Sequence, residues 1–171
     1  AINSPQLLLL SGVGPAEAIG LLAAIVILLF SFGSLIAMGL PIMTALVGIS
    51  IGVALAELLA HVIGTPDFTT QLASMIGIGV GIDYALFIVT RYRQELGEGF
   101  DPEHAVVRAI DTAGRAVVFA GCTVVISLLG LFLMGVDFVN GMAVGTSVTV
   151  GIVMLASITL LPAILGFAGR T

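Results

Sequence analysis

The chain has 171 residues, of which 59% are hydrophobic and 9% are charged, and its net charge is −5. A soluble domain of this length cannot bury so much apolar surface, so the composition excludes one and indicates a protein whose solvent is lipid. The single cysteine, Cys122, lies in an apolar run and excludes a disulfide framework and a thiolate metal site. We expect no metal, no cofactor and no nucleic-acid partner.

The amino-terminal residues do not have the pattern of a precursor. The sequence does not begin with Met and has no basic region followed by a cleavage motif. We therefore expect a part of a longer protein, in which residues 1–16 are the tail of an extracytoplasmic domain or a linker. Residues 17–170 are then expected to form a transmembrane helix bundle.

Five apolar segments follow one another in the chain. A helix rises about 1.5 Å per residue, so about 20 apolar residues cross a hydrocarbon core of about 30 Å. The segments that meet this length cover residues 19–37, 41–62, 71–91, 116–136 and 142–165. The predicted fold class is therefore all-α: a polytopic membrane protein with five transmembrane helices.

The third predicted span carries an acid at its centre. Asp83 is the only charge between Gln71 and Thr90, and a charged side chain at a helix centre in the bilayer costs roughly 2.5–3.5 kcal/mol on insertion scales. Its role can be that of a proton carrier or of a permanently protonated structural acid. A proteolytic role needs a second aspartate at membrane depth, which the other spans lack. Tyr84, directly after it, can donate a hydrogen bond to a carboxylate and relay a proton.

Three glycines precede this acid in steps of two. Gly77 and Gly81 lie four residues apart and predict close approach of another helix, and Gly79 lies one turn before Asp83. A nucleotide-binding turn is excluded because that motif needs a preceding strand and a solvated helix start. We expect two copies, or one copy and a missing half, to pair through the Gly77/Gly81 face.

A polar stretch of residues 91–115 joins the third and fourth spans. Asp101, Pro102 and Glu103 form a helix-start signature, followed by an apolar stripe at helical spacing. This pattern predicts a short amphipathic helix at about 102–113 on the membrane surface, acting either as an interfacial connector or as a coupling element.

The arginines predict the orientation of the bundle. Four of the five arginines lie between residues 91 and 115, and Arg170 follows the fifth span on the same face. Positively charged connections stay in the cytoplasm, so the 91–115 loop and the carboxyl terminus are expected to be cytoplasmic.

Weaker candidates for a proton path lie on the other spans. Glu57 is near the far end of the second span, and His61 lies one turn further on the same face, where the two can interact. Thr123 and Ser127 belong to a set of hydroxyls on the last two spans, most of which we expect to bond to their own helix carbonyls.

The chain resembles the MmpL-type (mycobacterial membrane protein large) lipid transporters of the resistance–nodulation–division superfamily. The strings that carry the resemblance are GIGVGIDYALFIVTRYRQEL, a Gly-Phe-Asp-Pro-Glu turn and AIDTAGRAVVFAG. The resemblance implies helices two to six of one half of a pseudo-symmetric membrane domain. It also implies that Asp83 and Tyr84 are a proton relay. Some relatives carry a serine where this chain has Ala120.

The family's function follows as an expectation. The resemblance implies a secondary active transporter, not an enzyme, that exports lipids or other hydrophobic molecules with the proton motive force across a bacterial inner membrane. Its partners would be the bilayer, a lipid cargo, and the missing half or a second copy. The alternatives are a sterol-sensing-like regulatory module and a protein-export accessory subunit of the same superfamily.

Overall fold

A computed structural model describes residues 15–32 and 35–168 of the chain. The described helices are α1 (Pro15–Phe32), α2 (Leu35–Ile63), α3 (Thr69–Gly97), α4 (Pro102–Ala109), α5 (Arg115–Leu129) and α6 (Asp137–Ala168). A π-helical turn, Ile110–Gly114, joins α4 to α5, and a 3₁₀ turn, Gly130–Met134, follows α5. The predicted tail of residues 1–16 lies almost wholly outside the described residues.

The described part of the chain confirms the all-α polytopic class. Four helical stretches are long and apolar enough to cross a membrane: Gly39–Ile63, Thr69–Gly97, Pro102–Met134 and Asp137–Phe167. The first predicted span is represented by a shorter apolar segment, Ala18–Leu29. The chain divides into two compact units, Ala1–Met38 and Gly39–Thr171, and the second contains every candidate functional residue.

The helix of the second span begins before Pro41, the residue at which the sequence predicts its start. Residues 38–40 were expected to be a connection with the span starting at Pro41, but α2 begins at Leu35 and contains Pro41. Proline removes one helical hydrogen bond without ending the helix, because neighbouring helices re-satisfy the freed groups in a membrane bundle.

The third span extends beyond the predicted membrane boundary. Helix α3 continues to Gly97, beyond the predicted end at residue 91, so Glu95 lies on this helix instead of in a loop. Arg, Gln, Glu and Leu are strong helix formers, and they continue the helix past the apolar segment. The chain then turns at Gly99, whose φ of 93° is a left-handed conformation suited to glycine.

The amphipathic helix starts as the sequence predicts. Asp101 is the N-cap of α4, and its side chain accepts a hydrogen bond from the His104 backbone N–H at 3.5 Å. The helical path then continues through the π-helical turn into α5 with no break.

Helix α6 is the centre of the second unit. It packs most extensively against α3 and α5, and small residues bring α2 close to it. A Cβ atom added to Gly52 would lie 2.9 Å from the Thr149 Cα, and one added to Gly48 would lie 3.1 Å from the Val153 Cα. These glycines therefore allow the α2 and α6 backbones to approach directly.

Candidate functional site

Asp83 lies halfway along the 29-residue helix α3 and points out of the described bundle. Its side chain is exposed, and no ion pair or side-chain hydrogen bond reaches its carboxylate from the described residues. Because α3 has the length and hydropathy of a membrane span, this face is at bilayer depth. The described residues therefore supply no group that compensates a charge on this carboxylate.

Tyr84 faces the opposite environment. Tyr84 is only 9% exposed, so it lies inside the bundle although it follows Asp83 directly in the chain. Adjacent helix residues point about 100° apart, so one can be buried while the other is exposed. The pair thus places the Tyr84 side chain inside the bundle and the Asp83 side chain on its outer surface.

The three glycines before Asp83 do not share one environment. Gly77 and Gly81 are buried, and a Cβ at Gly81 would lie 2.8 Å from Val153 Cγ1 of α6 and 3.0 Å from the Ala45 Cβ of α2. Gly79 has nothing within 4 Å of that position. The expected pairing of two copies through the Gly77/Gly81 face is therefore corrected: helices of this chain already fill that face.

An open face of α3 runs along its exposed residues Met75, Gly79, Asp83 and Phe87. These positions are four residues apart, so they form one stripe along the helix. Asp83 is the acidic side chain in this stripe, and the small Gly79 leaves space one turn away from it. This stripe of exposed residues is hereafter called the open face.

The candidate hydroxyls on α5 are satisfied within their own helix. Thr123 and Ser127 are both exposed, and each donates a hydrogen bond of 2.8 Å to the carbonyl oxygen four residues earlier. On α6 the same backbone bonding occurs at Thr146, Thr149, Ser157 and Thr159. Ser147 differs, because its buried Oγ has no hydrogen-bond partner within the described structure.

Glu57 and His61 are exposed near the end of α2. The His61 Nδ1 atom lies 2.9 Å from the backbone carbonyl oxygen of Glu57, so the contact involves the main chain and not the carboxylate. The geometry gives Glu57 no described side-chain connection to Asp83.

A second acid on α3 was not singled out by the sequence. The Glu95 side chain is completely buried, with its Oε1 2.6 Å from Arg91 Nη2 and its Oε2 2.7 Å from Arg108 Nε. The i, i+4 spacing of Arg91 and Glu95 is a sequence signal for half of this contact. No local signal indicates Arg108, which comes from α4.

The cap of α4 has its own electrostatics. The Nδ1 atom of His104 lies 2.6 Å from Asp101 Oδ1. Desolvation is the largest single influence on the Asp101 carboxyl and raises its pKa. The hydrogen bonds from the His104 side chain and backbone, together with the charge of His104, outweigh it and hold this pKa below its usual value. In the part of the chain that the structure describes, no group of three His, Cys, Asp or Glu side chains could hold a metal ion.

The fold and the site together define a polytopic, all-α membrane domain with an ionisable side chain exposed at membrane depth. Residues 6–171 match the sequence model of the MMPL family, and the chain belongs to this family.

Curated relatives agree with this assignment. The chain is 45% identical over 157 residues to the membrane protein YdfJ of Bacillus subtilis, covering 92% of this chain and 22% of that protein. It is 40% identical over 154 residues to the trehalose monomycolate exporter MmpL3 of Mycobacterium tuberculosis, covering 90% and 16% respectively. It is 39% identical over 158 residues to the probable transport protein MmpL11 of Mycobacterium leprae, covering 92% and 16%. The chain thus spans about a fifth of the length of these relatives.

Proposed function

We propose that this chain is part of the membrane domain of a proton-driven exporter of lipids or other hydrophobic molecules. In this proposal Asp83 binds and releases the driving proton, and Tyr84 shapes its hydrogen bonding. The observation that carries the proposal is the exposed Asp83 carboxylate, which has no described ion pair or side-chain hydrogen bond in the middle of a span. Similarity to a named exporter supports the transport class.

The physical argument concerns the charge at Asp83. An ionised carboxylate at bilayer depth is costly, whereas the protonated acid is neutral and much less so. A partner or a water-filled space that stabilises the ionised form in one conformation makes proton binding depend on conformation. A proton gradient can then drive the conformational change, because the proton binds the two states with different affinity.

A second part of the proposal concerns the partner that packs against the open face beside Asp83. We propose that the missing half of the transporter, or a second copy of this chain, packs against it and supplies groups that face Asp83. Gly79 has no neighbour within 4 Å of an added Cβ, so a helix can approach closely beside the acid. In this arrangement Tyr84 stays inside this half while Asp83 faces its partner.

The deciding experiment uses Asp83→Asn in the complete transporter. Asparagine keeps the shape and much of the hydrogen bonding but cannot titrate, so proton-driven export in membrane vesicles should be abolished while expression stays normal. Tyr84→Phe removes only the hydroxyl and should reduce export less. Asp111→Asn, which removes an exposed carboxylate paired with Arg115, is the matched control and should retain export. Wild-type rates in well-expressed Asp83→Asn would show that Asp83 is a structural acid.

The orientation is also a proposal: the arginine-bearing connection between α3 and α5 lies in the cytoplasm of a bacterial inner membrane. Single-cysteine labelling in a Cys122→Ser background tests it. Glu98 is the suitable position because it is exposed, whereas Gly99 has a φ of 93° that strains any other residue. Glu98→Cys should be protected from an impermeant reagent added outside intact cells, and reaction there would reverse the orientation.

A further inference from the structure

The arginine-bearing end of the bundle contains a buried ion cluster, the Glu95 cluster, made of Glu95, Arg91 and Arg108. Glu95 is fully buried, and each of its carboxylate oxygens forms an ion pair with a different arginine, at 2.6 Å and 2.7 Å. Neither contact has the geometry of a hydrogen bond, so the arginines compensate the carboxylate by charge. Arg91 belongs to α3, as Glu95 does, whereas Arg108 belongs to α4. One carboxylate thus fastens two helices that are separated in the chain by a turn.

Further contacts extend this connection along α4. The Arg91 Nε donates to the Thr112 hydroxyl of the π-helical turn at 3.3 Å, and Thr112 itself donates to the Arg108 carbonyl oxygen at 2.8 Å. At the other end, the Arg108 guanidinium stacks over the Phe100 ring, 4.3 Å from its centroid. The cluster therefore holds both α4 and the turn after it against α3.

A buried carboxylate makes this connection stiff. Separating Arg108 from Glu95 would leave a buried charge without half of its compensation, which is strongly unfavourable. Opening of the Glu95–Arg108 contact is therefore costly. By contrast, the Asp111–Arg115 pair nearby has side chains 63% and 78% exposed, and water can replace either partner.

The helix that carries this cluster also carries the proposed proton site. Asp83 and Glu95 are twelve residues apart on α3, which is about 18 Å along a continuous helix. A helix of this kind transmits a displacement along its axis with little loss, because its hydrogen bonds resist stretching. We therefore expect a movement of α3 at Asp83 to reach Glu95.

We propose that Glu95 is a positioning residue: through Arg91 and Arg108 it makes α4 and the π-helical turn move together with α3. Displacement of α3 by protonation of Asp83 is then passed to the arginine-bearing surface and, through the turn, to α5. The part of this inference that concerns protonation rests on the proposed function. The mechanical connection of α3 and α4 does not.

The connection is tested by distances between spin labels in the complete protein, in a Cys122→Ser background. Labels replace two exposed residues, Thr90 on α3 and Val107 on α4. The distance distribution should be narrow in the parent and in the control variant Asp111→Asn, and should broaden at least twofold in Glu95→Gln. An unchanged narrow distribution in Glu95→Gln overturns the proposal.

A second variant keeps the test decisive where Glu95→Gln does not fold. Arg108→Gln leaves Glu95 paired with Arg91, so the buried acid keeps a compensating charge. It breaks the Glu95–Arg108 contact between α3 and α4, together with the stacking of Arg108 on Phe100, and the same broadening should follow. A narrow distribution in folded Arg108→Gln contradicts the connection equally.

Transmission is tested with a third label at Phe167 on α6, which is 77% exposed. Asp83→Asn mimics the protonated acid, and it should shift both the Thr90–Phe167 and the Val107–Phe167 distances. Adding Glu95→Gln should abolish the second shift and keep the first. If both distance shifts persist in the double variant, the positioning role is overturned, because α4 then follows α3 without Glu95.

Export measurements separate this inference from the proposed function. Export should fall several-fold in Glu95→Gln and stay unchanged in Asp111→Asn. Full export by Glu95→Gln, in a protein that Asp83→Asn inactivates, overturns the positioning role and leaves the proton relay standing. Full export by Asp83→Asn contradicts the relay instead, and the Thr90–Val107 distance still decides whether Glu95 joins α3 to α4.

Discussion

Helix α3 carries two acids in opposite circumstances. Asp83, at the centre of the span, is exposed and receives no ion pair or side-chain hydrogen bond from the described residues, whereas Glu95, near the helix end, is buried between two arginines. The charge of Asp83, in the apolar segment, is thus not compensated by described residues. The charge of Glu95, in the polar segment, is compensated by arginines of the same chain. The described residues thus compensate the charge of Glu95 but not that of Asp83, for which we propose a partner beyond this chain.

The largest expected effect concerns this proposed partner. The 171 residues alone, as a proven monomer, should insert into a membrane and show no proton-coupled export, because no described residue packs against the open face beside Asp83. Reconstituted vesicles under an imposed proton gradient give the measurement, with the complete transporter as the positive control. Export by the monomer would mean that Asp83 needs no partner.

The two acids should also differ in their effect on stability. Glu95→Gln leaves two arginines facing a neutral amide and should lower the free energy of unfolding by about 2–3 kcal/mol, below the full cost of breaking a buried pair because both arginines are partly exposed. Asp83→Asn removes no described contact and should change it by less than about 0.5 kcal/mol. Unfolding in detergent micelles measures both. Equal losses of unfolding free energy in the two variants would contradict the distinction between a structural Glu95 and a non-structural Asp83.

Gly81 and Gly79 on α3 also differ in burial, and neither position involves a charge. Gly81→Ala places a methyl group 2.8 Å from Val153 and should cost about 1–3 kcal/mol of stability, because α2 and α6 must shift. Gly79→Ala meets nothing within 4 Å and should gain up to about 1 kcal/mol from helix propensity. The same unfolding measurement applies. A loss at Gly79 in the isolated chain would show that the open face is covered.

The smallest expected effect concerns Asp101, an exposed acid with a local partner. Its pKa is lowered in the folded chain, so it contributes stability above its unfolded pKa, and this contribution is lost as the pH falls through the lower, folded value. Helix content followed by circular dichroism between about pH 6 and 2 should show an acid-dependent loss that Asp101→Ala removes. An identical acid response in both proteins would assign the loss to other carboxylates.

Several features of the protein followed from its sequence. Long uncharged segments identify membrane helices because hydropathy is a local property, and only a helix satisfies its own backbone in lipid. The cap at Asp101 was likewise predictable, since capping depends on residues three positions apart. Asp83 was recognisable as a candidate because a charge within an apolar segment is unusual in itself.

Only the tertiary structure decided which face of each helix is buried. A helix that is apolar on all sides gives no periodic signal, so the sequence could not distinguish Gly81, packed against Val153, from the open Gly79. Nor could it place Arg108 beside Glu95, because the partner comes from another helix and Glu95 lies in a polar stretch that was interpreted as a loop. Local hydropathy in the sequence thus determines which segments are membrane helices. The environments of Asp83 and Glu95 depend instead on contacts between helices that are distant in the chain.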